Sequence, residues 1–515
     1  MTNTIRNGRT AFGRTARGRA SLGRASLGYA ALPLLLALAG CAVGPDYRRP
    51  PVDTPAAYKE AASTQAAMPA DQAGSWQQAR PAENALRGQW WKIFKDPTLD
   101  ALQVQAQDAN QNLKAAAARL GQSRALVRNA RSDRYPELDA GFGPTRERAS
   151  PASQGRPDNG AATYSSLWRA QASVSYEVDL FGRVASSVNA ATADAQQSAA
   201  LYRSVLLALQ ADVAQGYFRV RELDAEQQIY RRTVELRGKT MALIRHRYDA
   251  GDVGELDLDR ARTDLESARA EQVGIARDRA VAEHALAVLL GKTPAEFSLP
   301  AQPIARIAID IPAGMPSSLL ERRPDIAAAE RAMAAANARI GVAKAAFFPS
   351  LMLTGAGGLE SSALGDLFNW SSRTFLLGPL VGTALSLPIF DGGRRQANLD
   401  RARAVYEEDV ADYRQTVLTA FREVEDNLAG LRLLHGQTAA QDAALRAATR
   451  AAQLSQMQYR EGAVSYLDVL EADRTALQQQ RASAQLDGDR ARTVVNLIRA
   501  LGGGWGLAAP RIAAE

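Results

Sequence analysis

The sequence predicts an α+β chain made twice to one plan: a helix, a β-hairpin, then a long helical hairpin. Three observations carry this. The first is an offset of 211 residues, which separates Tyr248 from Tyr459, Gly251 from Gly462, Leu256 from Leu467, Asp257 from Asp468, and Gly291 from Gly502. The stretch Tyr459 to Glu471, YREGAVSYLDVLE, thus echoes Tyr248 to Arg260, YDAGDVGELDLDR. A spacing held that steadily marks an internal duplication. The second is a period of two. Trp168, Ala170, Ala172, Val174, Tyr176, Val178 and Leu180 alternate with Arg169, Gln171, Ser173, Ser175, Glu177 and Asp179, as in a strand with one apolar and one polar face. The third is helix length. Arg183 to Arg247 contains no proline and only Gly216 and Gly238. About 65 residues at 1.5 Å each give a helix of roughly 100 Å, suited to a coiled coil or a helical tube.

The chain opens on a basic leader. Its formal net charge is +7, but Arg6, Arg9, Arg14, Arg17, Arg19 and Arg24 lie in the first 29 residues with no acid among them. The remainder is nearly neutral, which argues against a nucleic-acid-binding body. Ala30 to Ala39 is apolar but short of the roughly 20 residues a spanning helix needs. Residues 1–40 therefore read as a secretory signal. Leu38-Ala39-Gly40-Cys41 resembles the bacterial lipobox, which implies a diacylglycerol and an acyl chain on Cys41 as the mature N-terminus. Ala42, rather than Asp, follows it, and by resemblance to lipoprotein sorting that implies the outer membrane. Cys41 is the sole cysteine, so no intrachain disulfide is possible. The alternative is a buried free thiol.

Residues 41–95 read as an extended strap, rich in Pro, Ala, Gln and Ser as far as about Pro81. The first repeat covers 96–291. Asp96-Pro97 starts a helix, and Leu99, Leu102, Ala106, Ala109, Leu113 and Ala116 carry it to about Arg134. Pro136 breaks it. A β-hairpin follows over about 137–180, with Glu137 to Arg146 pairing across the loop Glu147 to Leu167. The long helical hairpin occupies about 183–290, turning at Gly251, a residue suited to a left-handed helix end. Residues 292–316 are a Pro-rich linker. The second repeat, 317–503, restarts at Pro324-Asp325 with a helix through Ala345. Its strands are expected over Leu351 to Leu359 and Phe375 to Phe390, a hairpin of about 350–390, and its long helical hairpin over about 394–501. Residues 504–515 form a tail.

Four such strands cannot stand alone in a bilayer, where unpaired backbone at their edges costs several kcal/mol per group. Self-association into a closed ring removes the edges. The rival reading of the alternation, a strand of a water-soluble sandwich, is disfavoured by the spaced Trp and Tyr and the predicted address.

The residues now assembled resemble the TolC-like outer-membrane efflux protein family, in its lipoprotein branch, OprM- and NodT-like. The matching pieces are Cys41-Ala-Val-Gly-Pro-Asp-Tyr47, Trp91 to Leu102, Arg323-Pro-Asp325, Leu387-Pro-Ile-Phe-Asp-Gly-Gly393 and Leu501-Gly-Gly-Gly-Trp505. The resemblance implies a homotrimer with a 12-stranded β-barrel continuous with a 12-helix periplasmic α-barrel. It implies docking on a periplasmic membrane-fusion adaptor, coupled to an inner-membrane transporter of the RND type. Asp468 and Glu471 match acidic rings at the closed periplasmic entrance, and i, i+3 spacing puts them on one helix face. Carboxylates crowded there would repel, raising some pKa values. The bland reading is a solvated helix face. Tyr459 and Asp257 match positions that tie closed tips together. A basic partner found in some members falls at Val464, for which Arg460 or Arg247 could substitute. Gly251, Val253, Gly462 and Val464 match the adaptor-contact tips.

No catalytic constellation is expected, hence no enzyme, no cofactor and no metal. Gly291-Lys292-Thr293 lacks the first P-loop glycine, since Leu286 stands there. Gly355 to Gly358 lacks a strand-to-helix setting. His246, His284 and His435 stand alone. The scattered arginines read as solvated faces. The function expected is an outer-membrane conduit exporting small toxic compounds. Alternatives are a duct for polypeptide secretion and a pore-less periplasmic coiled-coil lipoprotein.

Overall fold

The computed structural model describes residues 43–52, 54, 55, 57–60, 89–150, 152, 155, 163–306, 319–377 and 384–503. The leader, Cys41, much of the strap and the tail lie outside the described residues.

Two long helical hairpins dominate. In the first, α3 (Arg183–Asp249) turns into α4 (Glu255–Leu289). In the second, α6 (Arg394–Arg460) turns into α7 (Tyr466–Ala500). These join the shorter α1 (Pro97–Ala109), α2 (Gln111–Ser132) and α5 (Pro324–Ala345). The hairpins match in length, 67 then 35 residues in each. Arg394 stands 211 residues after Arg183, and Tyr466 the same distance after Glu255. The duplication seen in the sequence is therefore a duplication in space. No helix among the described residues is long and apolar enough to cross a membrane.

The strands are β1 (Glu137–Ala149), β2 (Thr163–Val178), β3 (Ser350–Ser361), β4 (Arg373–Leu377) and β5 (Leu385–Ser386). They form one antiparallel sheet in the order β1-β2-β3-β4, with β5 also on β3. The β2–β3 pairing joins the two repeats. At Gly358 an added Cβ would fall on the Ala170 carbonyl, so the backbones meet there only because the residue is glycine.

Three expectations need correction. The helix predicted from Pro97 to about Arg134 is two helices. Asn110 is extended, at φ −60° and ψ 126°. Its side-chain oxygen accepts from the Leu113 N–H at 3.0 Å, and its amide donates to the Leu289 carbonyl at 2.9 Å. A buried asparagine with a partner on α4 thus ends one helix and caps the next. The first hairpin loop is shorter than expected, because pairing extends from Thr145↔Leu167 to Ala149↔Thr163. The strand expected over Phe375 to Phe390 ends sooner: Ala384 is a bend, β5 stops at Ser386 and Leu387 to Phe390 are outside it, while residues 378–383 lie outside the described residues.

The main core lies where α1, α3, α5, α6 and α7 meet. Leu99, Val213, Tyr217, Met333, Tyr413, Val417, Val494 and Leu497 are buried there. Each large side chain so placed contributes about 1.5–3 kcal/mol. Asp96 caps α1 through Thr98 N–H at 2.9 Å and accepts the Tyr217 hydroxyl at 2.5 Å. Tyr58 of the strap is buried in this core, and the Lys59 and Glu60 amides donate to Glu425 at 2.8 and 3.1 Å. Not every arginine is a solvated face. Arg323 is buried and pairs with Asp325 and Glu423, both at 2.6 Å, because Pro324 and the helix start beside it fix its guanidinium among carboxylates.

Candidate functional site

The two tips are built alike. Gly251 and Gly462 adopt φ +81° and +77°, which frees the next amide to reach back to the helix end. The Asp252 N–H donates to the Arg247 carbonyl at 2.8 Å, and the Ala463 N–H to the Gln458 carbonyl at 2.9 Å. This backbone pattern ends both helices. Both glycines are exposed at the turns. The tips then pack on each other through Ile244, Ala261, Tyr459, Tyr466 and Val469, with Val253 and Val464 half-buried against them. The structure therefore brings Val253 and Val464 together in one apolar cluster.

Asp468 is exposed and belongs to a capping box. Its carboxylate accepts from the Ser465 N–H at 2.9 Å and from the Ser465 hydroxyl at 2.7 Å, while the Asp468 N–H donates back to that hydroxyl. The Ser465 hydroxyl and then its backbone N–H hold the carboxyl below its ordinary value. Within one chain this runs opposite to the upward shift expected from crowding. Glu471 is exposed one turn along the same face.

In the first repeat Gly254 occupies the cap position and offers no side chain, so Asp257 turns instead to Arg260 at 3.5 Å. Tyr459 and Asp257 are not joined by a hydrogen bond, and the Tyr459 hydroxyl is buried without a partner among the described residues. Of the two candidate substitutes for a base at Val464, Arg247 is the one at Tyr459, its guanidinium 5.1 Å from the ring centroid. Arg460 makes no ion pair among the described residues.

One feature the sequence reading missed sits behind the tips. Asp264 on α4 is buried. Its carboxylate meets Arg237 of α3 at 2.7 Å and Arg474 of α7 at 3.2 Å. Arg237 also donates to the Asp264 carbonyl at 2.9 Å. This knot ties both hairpins together. Beside it, burial pushes the Asp473 carboxyl up despite a 2.9 Å hydrogen bond from Gln456.

At the other end, the sheet registers put Leu138, Phe142, Trp168, Val174, Phe375 and Leu377 on one face. Phe375 and Leu377 are each 81% exposed and Leu138 is 75% exposed in the single chain. Water is an unfavourable neighbour for so continuous an apolar face. The opposite face carries Glu137, Asp139, Arg169, Ser173 and Glu360. An apolar outside and a polar inside are what a lipid-embedded barrel wall requires.

Such a wall, continuous with helical hairpins whose longer arms of 67 residues run roughly 100 Å, defines a channel protein of the outer-membrane barrel-and-tunnel class. The chain belongs to the outer membrane efflux protein family, whose model matches residues 102–292 and 315–503, one stretch for each repeat. It is 36% identical over 481 residues to the toluene efflux pump outer membrane protein TtgF of Pseudomonas putida, covering 92% of this chain and 96% of that one. It is 36% identical over 477 residues to outer membrane protein OprJ of Pseudomonas aeruginosa, covering 92% and 95%. Among solved structures, the outer-membrane channel CmeC of Campylobacter jejuni superposes with a TM-score of 0.81 at 25% identity, covering 90% of this chain and 95% of that one. The open-state outer membrane channel MtrE of Neisseria gonorrhoeae gives 0.75 at 31% identity, covering 90% and 98%. The fold and family resemblance read from the sequence are thereby borne out. The protein is an outer-membrane efflux channel that extends into the periplasm, and not an enzyme.

Proposed function

We propose that the chain is the exit duct of a tripartite pump that expels small toxic compounds. The observation that carries this reading is the sheet with an apolar exposed face and, among the described residues, no strand beyond β1 or β4, mounted on two matched helical hairpins. Three copies close the edges into one barrel and the hairpins into one tube. A periplasmic adaptor meets the tips at Gly251, Val253, Gly462 and Val464, and an RND-type inner-membrane transporter supplies the energy. Acyl chains on Cys41 add a second hold on the membrane. The relatives' printed names include toluene, solvent and antibiotic efflux pumps, which supports small molecules as cargo.

Gating, on this reading, is movement of the tips. Asp468 and Glu471 from three chains ring the entrance and favour cations. Arg247 stacked on Tyr459 of α6, and Asp264 paired with Arg474 of α7, hold the second hairpin against the first until the adaptor engages. Reconstitution in planar bilayers tests the reading: small gated conductances are expected, while a protein that inserts yet passes no current would refute it. Deleting the gene should lower the tolerated concentration of organic solvents or drugs; unchanged tolerance with a loss of polypeptide secretion would replace the cargo assignment.

A further inference from the structure

We propose that the distal rim of the sheet's lipid-facing side is a docking collar for the phosphate groups of outer-leaflet glycolipid. The pairing registers decide which side chains share this side. Leu138, Phe142, Arg146 and Arg148 of β1 stand on it beside Trp168 and Tyr164 of β2. Phe375 and Arg373 of β4 reach the same side through Gly357 and Leu359 of β3. The face is apolar along most of its height and turns cationic at one end. Arg146 and Arg148 fall within the last four residues of β1, and Arg373 is the first residue of β4. That end points away from the helices, because β1 follows α2 and β2 leads into α3 at the other. With the helices in the periplasm, the cationic end meets the outer leaflet.

Arg146, Arg148 and Arg373 make up this cationic end. Among the described residues none of them has a carboxylate at ion-pair distance, whereas Arg169, on the polar face, pairs with Glu360 at 2.9 Å. They are laid against aromatic rings instead. Arg146 and Arg148 lie 5.6 and 6.0 Å from the Tyr164 centroid, and Arg373 lies 2.9 Å from that of Trp370. A guanidinium stacked on a ring keeps its N–H edges free for oxygen acceptors, and its fork matches phosphate. Trp370 and Phe368, exposed by 77% and 75%, supply the amphipathic and apolar surface that belongs at a headgroup boundary. An arginine facing hydrocarbon is disfavoured, and the penalty fades at the interface. The arrangement therefore calls for an anionic headgroup just above the acyl chains, and phosphorylated glycolipid is the lipid of that leaflet.

Native mass spectrometry of the mature oligomer, incubated with bis-phosphorylated or dephosphorylated lipid A, tests the collar. The phosphorylated form should be retained and the other lost. Each near-surface cation is worth roughly fivefold in affinity for an anionic surface, so the triple variant R146Q/R148Q/R373Q should retain at least about tenfold less. The Arg→Lys triple variant should retain an intermediate amount. Equal retention of both lipids by the unaltered protein, or undiminished retention by the glutamine variant, would overturn the proposal. The comparison of two lipids on the unaltered protein needs no variant to fold. Conductance of the same preparation reports separately whether the channel has formed.

Discussion

Replacing Asp264 with Ala should loosen the periplasmic tips more than any other single change at the knot. The carboxylate and the Arg237 guanidinium touch at 2.7 Å, with side chains only 4% and 9% exposed. Charge centres about 4 Å apart at an effective dielectric near 20 attract by about 4 kcal/mol. Removing the acid also strands a buried guanidinium, so the loss is about 3–5 kcal/mol. The second arm is weaker. Arg474 is 55% exposed, so solvent screens it, and Arg474→Ala should cost only about 0.5 kcal/mol. Amide hydrogen exchange in the reconstituted protein reads both. For D264A, the α3 and α4 segments around Arg237 and Asp264 should exchange more than about 100-fold faster, since each 1.36 kcal/mol is a decade. For R474A the change should stay within about threefold. Equal effects of the two variants, or protected tips in D264A, would refute the assignment of the knot to the Asp264–Arg237 pair.

Ser465→Ala removes one half of the capping box, and amides of the first turn of α7 should exchange about fivefold faster. The depressed Asp468 carboxyl contributes stability that is present above its ordinary 3.8 and lost as pH falls through the lowered folded value. Exchange at this turn should thus rise below about pH 4, and in D468N that pH dependence should vanish. Asp468→Ala with Glu471→Ala should reduce cation preference in single-channel recordings; unchanged reversal potentials would remove both residues from the conduction path. Gly291→Ala should destabilise by about 2 kcal/mol or more, because φ is +69° and the new Cβ would lie 2.6 Å from the Ala109 carbonyl oxygen. Thermal melting of the oligomer checks it, with Gly121→Ala, a mid-helix site where the added Cβ has open space, as the control that should not lower the melting point.

What the sequence made legible was periodic or repeated. The 211-residue offset exposed the duplication before any contact was known, and the observed helices keep it. The alternation in β2 exposed a two-faced strand because side-chain direction in a strand follows position alone. What stayed hidden depends on partners remote in the chain. Asn110 looked like one more residue in an amphipathic run, and its break is fixed by the Leu289 carbonyl across the interface. Asp264, Arg237 and Arg474 each resemble the charged positions of any long helix. Only folding puts residues 27 and 210 positions apart into one contact. Asp468 was visible as an acid near a tip, and its capping partner Ser465 stood three residues before it. That S-x-x-D spacing was a local signal of a helix start that the reading passed over.

The proposed duct depends on a sheet that is finished only by other copies of itself. The mass of the native particle in a lipid nanodisc tests this most directly. Three chains per particle are expected, with every strand edge paired. A single chain that stays folded in the bilayer, with the edges of β1 and β4 unpaired, would contradict it.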